Sequence, residues 1–237
     1  MSPRIAVFDL DETLICGDSS QLWTQYLWEK KIITDPCFIE ADQQMMTDYH
    51  AGKLDMHKYL AFSLQALHQV PHEQVDIWLS DFVDNKIRPL LYPAARRQLE
   101  IYRQQHVPII IISATVAFVV KKIAAAFGVQ TALGIDMVME NGCYTGKIQG
   151  TPTFRDGKVI RLQQWLTEQN LSPQHILFYT DSANDLPMCL FANEIFTVNP
   201  DKHLQTIAST HGWKQLNWTL EQSLFEIEGN RSDKVQN

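Results

Sequence analysis

The sequence predicts an α/β fold: a doubly wound, mostly parallel sheet with an inserted helical domain. Three observations predict it. Short, continuously apolar runs rich in β-branched and aromatic residues recur along the chain, as strands buried on both faces require. Amphipathic helical patterns lie between those runs, the signature of parallel βαβ units. Residues 16–86, directly after the first run, carry helical patterns only.

The first strand is "RIAVFDL", opening at Arg4. "SSQLWTQYLWEKK" is the first inserted helix, with a serine placed to cap it. "DPCFIEADQQMMTDYHAG" has Pro36 in its first turn and Gly52 at its end. "DMHKYLAFSLQALH" and "HEQVDIWLSDFVDN" follow, split by Pro71. These helices define an insertion over residues 16–86 and leave 1–15 and 87–237 as the sheet-bearing core. Beyond it come a helix over 94–105, the strand "VPIIII" (107–112), and a helix over 117–127. In "MVMENGCYTGKI", Asn141-Gly142 between alternating runs signals a hairpin. A helix over 158–169 leads to the strand "HILFYTD" (175–181), and "EIFTV" (194–198) is a fourth strand that stops at Asn199-Pro200. The tail "NRSDKVQN" reads as frayed.

At 237 residues the chain suits one large domain, or a domain with an insertion, and can bury a substantial core. A hydrophobic share of 45% with 20% charged residues excludes disorder. A net charge of −7 argues against a basic nucleic-acid surface. Cys16, Cys37, Cys143 and Cys189 form no C-x-x-C pair, which points to a reducing compartment. "IAVF" meets Asp9 too soon for a signal peptide, and "VPIIIISATVAFVV" is too short and too polar for a membrane span. The expectation is a cytoplasmic protein with no nucleic-acid or membrane partner; the oligomeric state stays open. The charge is uneven. Residues 16–86 hold 11 Asp and Glu against 5 Lys and no Arg, whereas the rest holds 16 acids against 15 bases.

In open α/β sheets, ligands bind beyond the carboxyl ends of the strands. Asp9, Ser113 and Asp181 each close a strand, so all three are expected along one sheet edge. Asp185 follows Asp181 by four residues, and a helix starting there turns both acids to one side. Lys158 opens a helix after Gly157. Taken singly, such an Asp is an ordinary turn residue, Ser113 an N-cap and Lys158 a surface charge. Together the carboxylates crowd one edge, which is costly unless a cation joins them. A hard divalent cation, most simply Mg²⁺, resolves that repulsion. The eight histidines are scattered, and Pro71 spoils the spacing of His68 and His72, so no zinc site is expected.

"DLDET", "ISAT", "DGKVIRL" and "YTDSANDLPM", in that order, resemble the four motifs of the haloacid dehalogenase superfamily. A helical insertion directly after the first motif resembles the branch that contains phosphoserine phosphatases. The resemblance implies a Rossmann-like core with the insertion as a cap. It implies Asp9 as a nucleophile that forms an aspartyl-phosphate. It implies Asp11 as the group that protonates the leaving alcohol and then activates water, so Asp11 must carry a proton for the first task. Asp9, the Asp11 carbonyl and Asp181 are implied as Mg²⁺ ligands, with Asn184 and Asp185 supporting the metal's waters. Ser113 and Lys158 are implied phosphate binders. Asp18 falls where phosphoserine phosphatases carry a Glu that contacts the substrate amine. Glu12 reads as solvated or capping.

A cap arginine grips the substrate carboxylate in phosphoserine phosphatases. Here Ser63 falls near its place, and Lys53 and Lys58 are the nearby cations. The acidic cap and the missing arginine together suggest a phosphate ester with a positive group and no carboxylate, although the acids also suit a solvated outer face. "AGKLD", "FRDGKVIRLQQWL" and "FYTDSANDLP" are similar to bacterial phosphatases that include histidinol-phosphate phosphatases, which makes L-histidinol phosphate the leading substrate. Trp23, Tyr26 and Trp28 can stack on an imidazole, but at helical spacing they suit a core. Phe154 and Arg155 stand near enough to Lys158 to approach the leaving group. Alternatives are a phosphoserine phosphatase, a phospho-acceptor domain of the receiver type, and a non-catalytic binding protein. Asp11 and the cap disfavour a receiver. Asp11 also disfavours a dehalogenase, which has no alkoxide to protonate.

Overall fold

The structure, a computed structural model, describes residues 4–50 and 53–221. Strand β1 (Arg4–Phe8) is its centre. The alternation of side chains along a strand sends Ile5 and Val7 to one face and Ala6 and Phe8 to the other, and apolar cover meets both. Six strands form one sheet in the order β3-β2-β1-β6-β7-β8, with every neighbouring pair parallel. They are β2 (Ile109–Val116), β3 (Thr131–Ile135), β6 (His175–Thr180), β7 (Glu194–Val198) and β8 (Lys214–Leu216). β4 (Met137–Glu140) and β5 (Cys143–Ile148) make the separate antiparallel hairpin, and Asn141 (φ 52°) and Gly142 (φ 78°) supply its left-handed turn.

Helices α7 (Asp156–Glu168), α8 (Leu186–Phe191) and α9 (Lys202–His211) cover one face through Leu162, Leu166, Met188 and Leu204. Helices α5 (Pro93–Gln104) and α6 (Ala117–Ala126) cover the other through Leu99, Val120 and Ile123. An aromatic stack crosses that second face. Tyr179 packs between Phe8 (4.3 Å) and Phe196 (4.4 Å). Its hydroxyl meets that of Tyr102 at 2.7 Å, so burying it strands no polar atom.

The insertion consists of α1 (Ser19–Glu29), α2 (Pro36–His50), α3 (Met56–Ser63) and α4 (His72–Phe82). Its apolar interior, with Trp23, Leu27, Leu60, Leu67 and Phe82, is continuous with the core under α5 and α6. The hairpin joins it. The Cα of Ala61 lies only 2.7 Å from where a Cβ on Gly146 would stand, so glycine alone admits that approach. The His72 N–H also donates to the Gly142 carbonyl at 2.9 Å.

Several elements differ from expectation. The first inserted helix is capped by Asp18, not by a serine: Asp18 Oδ1 accepts from the N–H groups of Ser20 and Gln21, both at 2.9 Å. α3 stops at Ser63, followed by a 3₁₀ turn at Gln65–Leu67, and a π turn at Val83–Ile87 follows α4. β2 runs past Ser113 to Val116, with a register break after Ile112. Asp181 precedes any helix, because a 3₁₀ turn (Ala183–Asp185) intervenes before α8. β3 and β8 have no strand expectation behind them. Gly52 and the frayed-tail reading lie outside the described residues. No helix among the described residues is long and apolar enough to cross a membrane.

Candidate active site

β1 and β6 are hydrogen-bonded neighbours, yet the chain leaves β1 toward β2 and β3 and leaves β6 toward β7 and β8. That reversal is a topological switch point, where the strand ends open into a crevice. Asp9 follows β1 and Asp181 follows β6, so these two carboxylates face one crevice.

Asp9 is 8% exposed. Its Oδ1 accepts from the Leu10 N–H (2.8 Å) and stands 3.0 Å from Lys158 Nζ. The same ammonium reaches Asp185 at 2.7 Å, and Asp185 also accepts from the Thr180 hydroxyl at 2.7 Å. Lys158 and Asp185 are each 2% exposed. Burial pushes the Asp9 carboxyl well above its usual range; Lys158 opposes this, and Asp185 and Asp11 add to it. Burial lowers the Lys158 ammonium, but Asp185 and Asp9 more than offset it, so the group stays protonated and above its ordinary value. The start of α7 fixes Lys158. A Cβ on Gly157 would stand 1.9 Å from the Pro152 carbonyl oxygen, so only glycine lets the helix begin there.

Asp11 is tied to α1 and β2 by three hydrogen bonds. Its Oδ1 accepts from the Ser19 N–H at the start of α1 (2.7 Å), and its Oδ2 accepts from the hydroxyls of Ser113 (3.2 Å) and Thr115 (2.9 Å) on β2. Two residues apart on β2, the hydroxyls of Ser113 and Thr115 point to the same side, toward Asp11. Thr153 donates to the Ser113 carbonyl at 2.5 Å. Glu12 is half-buried at φ 52° in the turn after Asp11, neither a cap nor fully solvated. Asp18 spends Oδ1 on the helix cap; burial, and then the Asp11 charge, push its carboxyl up to about 8 against those two N–H donors.

Asp181 accepts from the Thr13 hydroxyl at 3.0 Å. Burial, with Asp9 and Asp185 adding to it, pushes its carboxyl well above the usual range. Asp181 and Asn184 line a cleft of about 760 Å³ with Arg155, Asp201, Lys202 and His203. Arg155 is exposed there, its guanidinium 4.9 Å from the Phe154 ring centroid. It sits at φ 52°, a conformation costly for a residue with a side chain.

No group of three or more His, Cys, Asp or Glu side chains among the described residues is arranged to hold a metal ion. A small hard cation does not need one: Mg²⁺ is usually held by one or two carboxylates, with other oxygens and waters completing its shell. Asp9 and Asp181 are two carboxylates raised by burial and by neighbouring acids, the kind of charge crowding that such a cation would relieve.

Tyr49 of α2 carries no sequence signal, yet its phenol feels Asp9, Asp185, Asp18 and Asp181. Burial first, then those charges, keep it protonated as a hydrogen-bond donor. Its ring lies 5.7 Å from that of Phe154. Trp23 and Tyr26 are buried and stacked at 5.4 Å within the insertion, and Trp28 faces outward. Lys53 is exposed and Lys58 pairs with Asp55 in solvent. Glu29, Asp76, Asp81 and Asp84 likewise pair with Lys86, Lys122, Lys30 and Arg88 on the outer surface. Much of the insertion's negative charge is therefore an outer face. Asp42, by contrast, is 4% exposed.

A profile of haloacid dehalogenase-like hydrolases matches residues 6–189. A histidinol-phosphatase of Neisseria meningitidis serogroup C is 34% identical over 220 residues, which cover 91% of this chain and 99% of that protein. A crystal structure of a protein of unknown function from Bordetella pertussis Tohama I is 32% identical. It superposes with a TM-score of 0.85 and covers 93% of this chain and 100% of that one. A substrate-bound phosphoserine phosphatase shares the fold at 16% identity and a TM-score of 0.67, over 91% of this chain and 93% of that one.

Proposed function

The chain belongs to the haloacid dehalogenase-like hydrolase family, and from that premise we propose that it is a Mg²⁺-dependent phosphomonoesterase working through an aspartyl-phosphate on Asp9, with L-histidinol phosphate as its substrate. The observation that carries this reading is the buried Lys158 ammonium between Asp9 (3.0 Å) and Asp185 (2.7 Å), with Asp11 two residues from the nucleophile.

Both Asp9 contacts fall on Oδ1, which leaves Oδ2 to attack phosphorus. The P–O ester bond breaks, and the leaving alkoxide takes a proton from Asp11. Asp11 then accepts a proton from water as that water attacks the acyl-phosphate, which frees phosphate and restores Asp9. Lys158 offsets charge on the phosphoryl oxygens while holding Asp9. Asp185 acts by gripping Lys158, a closer role than supporting metal-bound water beside Asn184. Ser113 reaches the phosphoryl group by rotating its hydroxyl off Asp11. The protonated Tyr49 phenol is a donor within the field of these carboxylates, and Arg155 lines the cleft beside Asp181. Asp9, Asp181 and the Asp11 carbonyl are the groups to hold Mg²⁺, which would supply charge neutralisation at the phosphoryl oxygens.

Residues 16–86 serve as the cap, over a core of 1–15 and 87–237, and exclude water from the site. The four free cysteines suit a reducing cytoplasm. The 34% relative supports histidinol phosphate, as does a cap without arginine. Phosphoserine phosphatase is the second reading, supported by fold likeness.

Turnover of L-histidinol phosphate, phosphoserine and para-nitrophenyl phosphate, each with Mg²⁺ and with EDTA, tests the proposal. Metal-dependent hydrolysis is expected, with kcat/KM for histidinol phosphate about tenfold or more above phosphoserine. Faster phosphoserine hydrolysis overturns the substrate. Stable phosphorylation without turnover overturns the enzyme and favours a phospho-acceptor.

A further inference from the structure

Thr115 lies on β2 two residues beyond Ser113 and is 4% exposed. The phosphatase reading gives it no task, yet its hydroxyl oxygen stands 2.9 Å from Asp11 Oδ2, 3.1 Å from the Ser20 hydroxyl and 3.3 Å from that of Ser19. A hydroxyl has one proton to donate and two lone pairs with which to accept. Its proton goes to Asp11, so both serines at the start of α1 donate to it. These bonds fill the Thr115 oxygen and leave it nothing for a substrate. Its position is also fixed. A β-branched side chain is stiff at χ1. The Thr115 N–H donates to Ser113 Oγ at 3.0 Å, and a Cβ on Gly134 of β3 would stand 2.7 Å from the Thr115 carbonyl oxygen, so β3 presses on its backbone.

Ser113 shares Asp11 Oδ2 with Thr115, at 3.2 Å. When Ser113 turns to the phosphoryl group, Thr115 is the hydroxyl left on that oxygen. The two residues therefore divide the work: one hydroxyl is released to the phosphate, and the other stays on the carboxyl.

We propose that Thr115 is a positioning residue for Asp11: its hydroxyl holds one lone pair of Oδ2 and so aims the other, the one Ser113 vacates, at the oxygen of the leaving alcohol. Proton transfer needs the two heavy atoms within hydrogen-bond reach, and a small error of aim is costly. The inference rests on the phosphatase reading for the task of Asp11. It does not depend on which alkyl phosphate is the substrate.

Thr115→Val keeps the branched shape and removes the hydroxyl; Thr115→Ser keeps the hydroxyl. Thermal melts confirm that each folds, and Thr115→Ala replaces the valine variant if that one does not. An alkoxide needs a proton to depart, whereas para-nitrophenolate leaves without one. Rapid-quench measurement of the first turnover therefore compares para-nitrophenyl phosphate with L-histidinol phosphate or phosphoserine, whichever of these wild type hydrolyses faster. In Thr115→Val the first-turnover rate on the alkyl ester should fall about tenfold or more, with KM within about twofold, while that on the aryl ester falls less than about threefold. Thr115→Ser should restore most of the alkyl rate. Equal falls on the two esters mark a hydroxyl that only supports the fold and overturn the inference. So does an unchanged alkyl rate, and so does a loss confined to KM, which belongs to substrate binding. A wild type that hydrolyses none of the three esters overturns the phosphatase reading itself, and with it the inference that rests on it.

Discussion

Lys158 shows how closely stability and chemistry are joined at the level of single residues. Its ammonium is the bridge between two buried carboxylates. Lys158→Met leaves both uncompensated, and such a change costs about 3–5 kcal/mol. Urea titration should therefore show a large loss of stability in the metal-free protein, together with loss of turnover. Asp42 gives the opposite sign. Burial lifts its carboxyl to about 6, against an ordinary 3.8, so the folded protein holds that proton more tightly than the unfolded chain. That contribution to stability is fully present below about pH 4 and is lost as pH rises through about 6. Asp42→Asn escapes the loss, so its melting temperature relative to wild type should climb between pH 4 and pH 8; a flat difference contradicts the assignment. Asp9, Asp181 and Lys158 are legible in the sequence because each sits at a strand or helix end that its local pattern marks, Asp185 by its spacing from Asp181, and Asp11 by the resemblance of its motif. Tyr49, Thr115 and Asp42 are invisible there, since their positions depend on how the insertion docks against β2.

Among the elements, the start of α7 is the most demanding. A Cβ on Gly157 meets a backbone oxygen, which cannot swing aside as a side chain can. Gly157→Ala should cost about 1–3 kcal/mol by overpacking and, by shifting the helix start, carry Lys158 off Asp9. The expected result is a fall in kcat larger than the change in KM, read by steady-state kinetics beside a denaturant titration. The central strands were legible because they are buried on both faces and read as unbroken apolar runs. β3, with its half-exposed start, and β8, a three-residue edge strand reading Lys-Gln-Leu, lack that signal. The strand end at Ser113 was misplaced for a different reason. Apolar residues mark where a strand is buried, but the irregularity after Ile112 that carries β2 onward to Val116 arises from tertiary contacts such as Thr153 to the Ser113 carbonyl.

At the scale of the molecule, the site is a consequence of topology. The winding reverses between β1 and β6, so residues 172 positions apart, Asp9 and Asp181, share a crevice. The insertion does not hang free above it. Its core runs into that under α5 and α6, and the hairpin braces it from the far side at Gly146. This arrangement sets Tyr49 where its phenol feels the carboxylates and brings Trp23 beside Thr115 at the end of β2. The net charge of the insertion was visible in composition, but its meaning was not: several of its acids pair outward, and what bears on the site is where single carboxylates turn inward. The central claim is that this architecture makes Asp9 a nucleophile. The most direct measurement is an acid quench within the first turnover of L-histidinol phosphate with Mg²⁺, followed by mass spectrometry of the peptide that contains Asp9. The account predicts a transient phosphoryl adduct on Asp9, absent in Asp9→Asn, which should also lose turnover. Full turnover by Asp9→Asn, or an adduct on another residue, contradicts it.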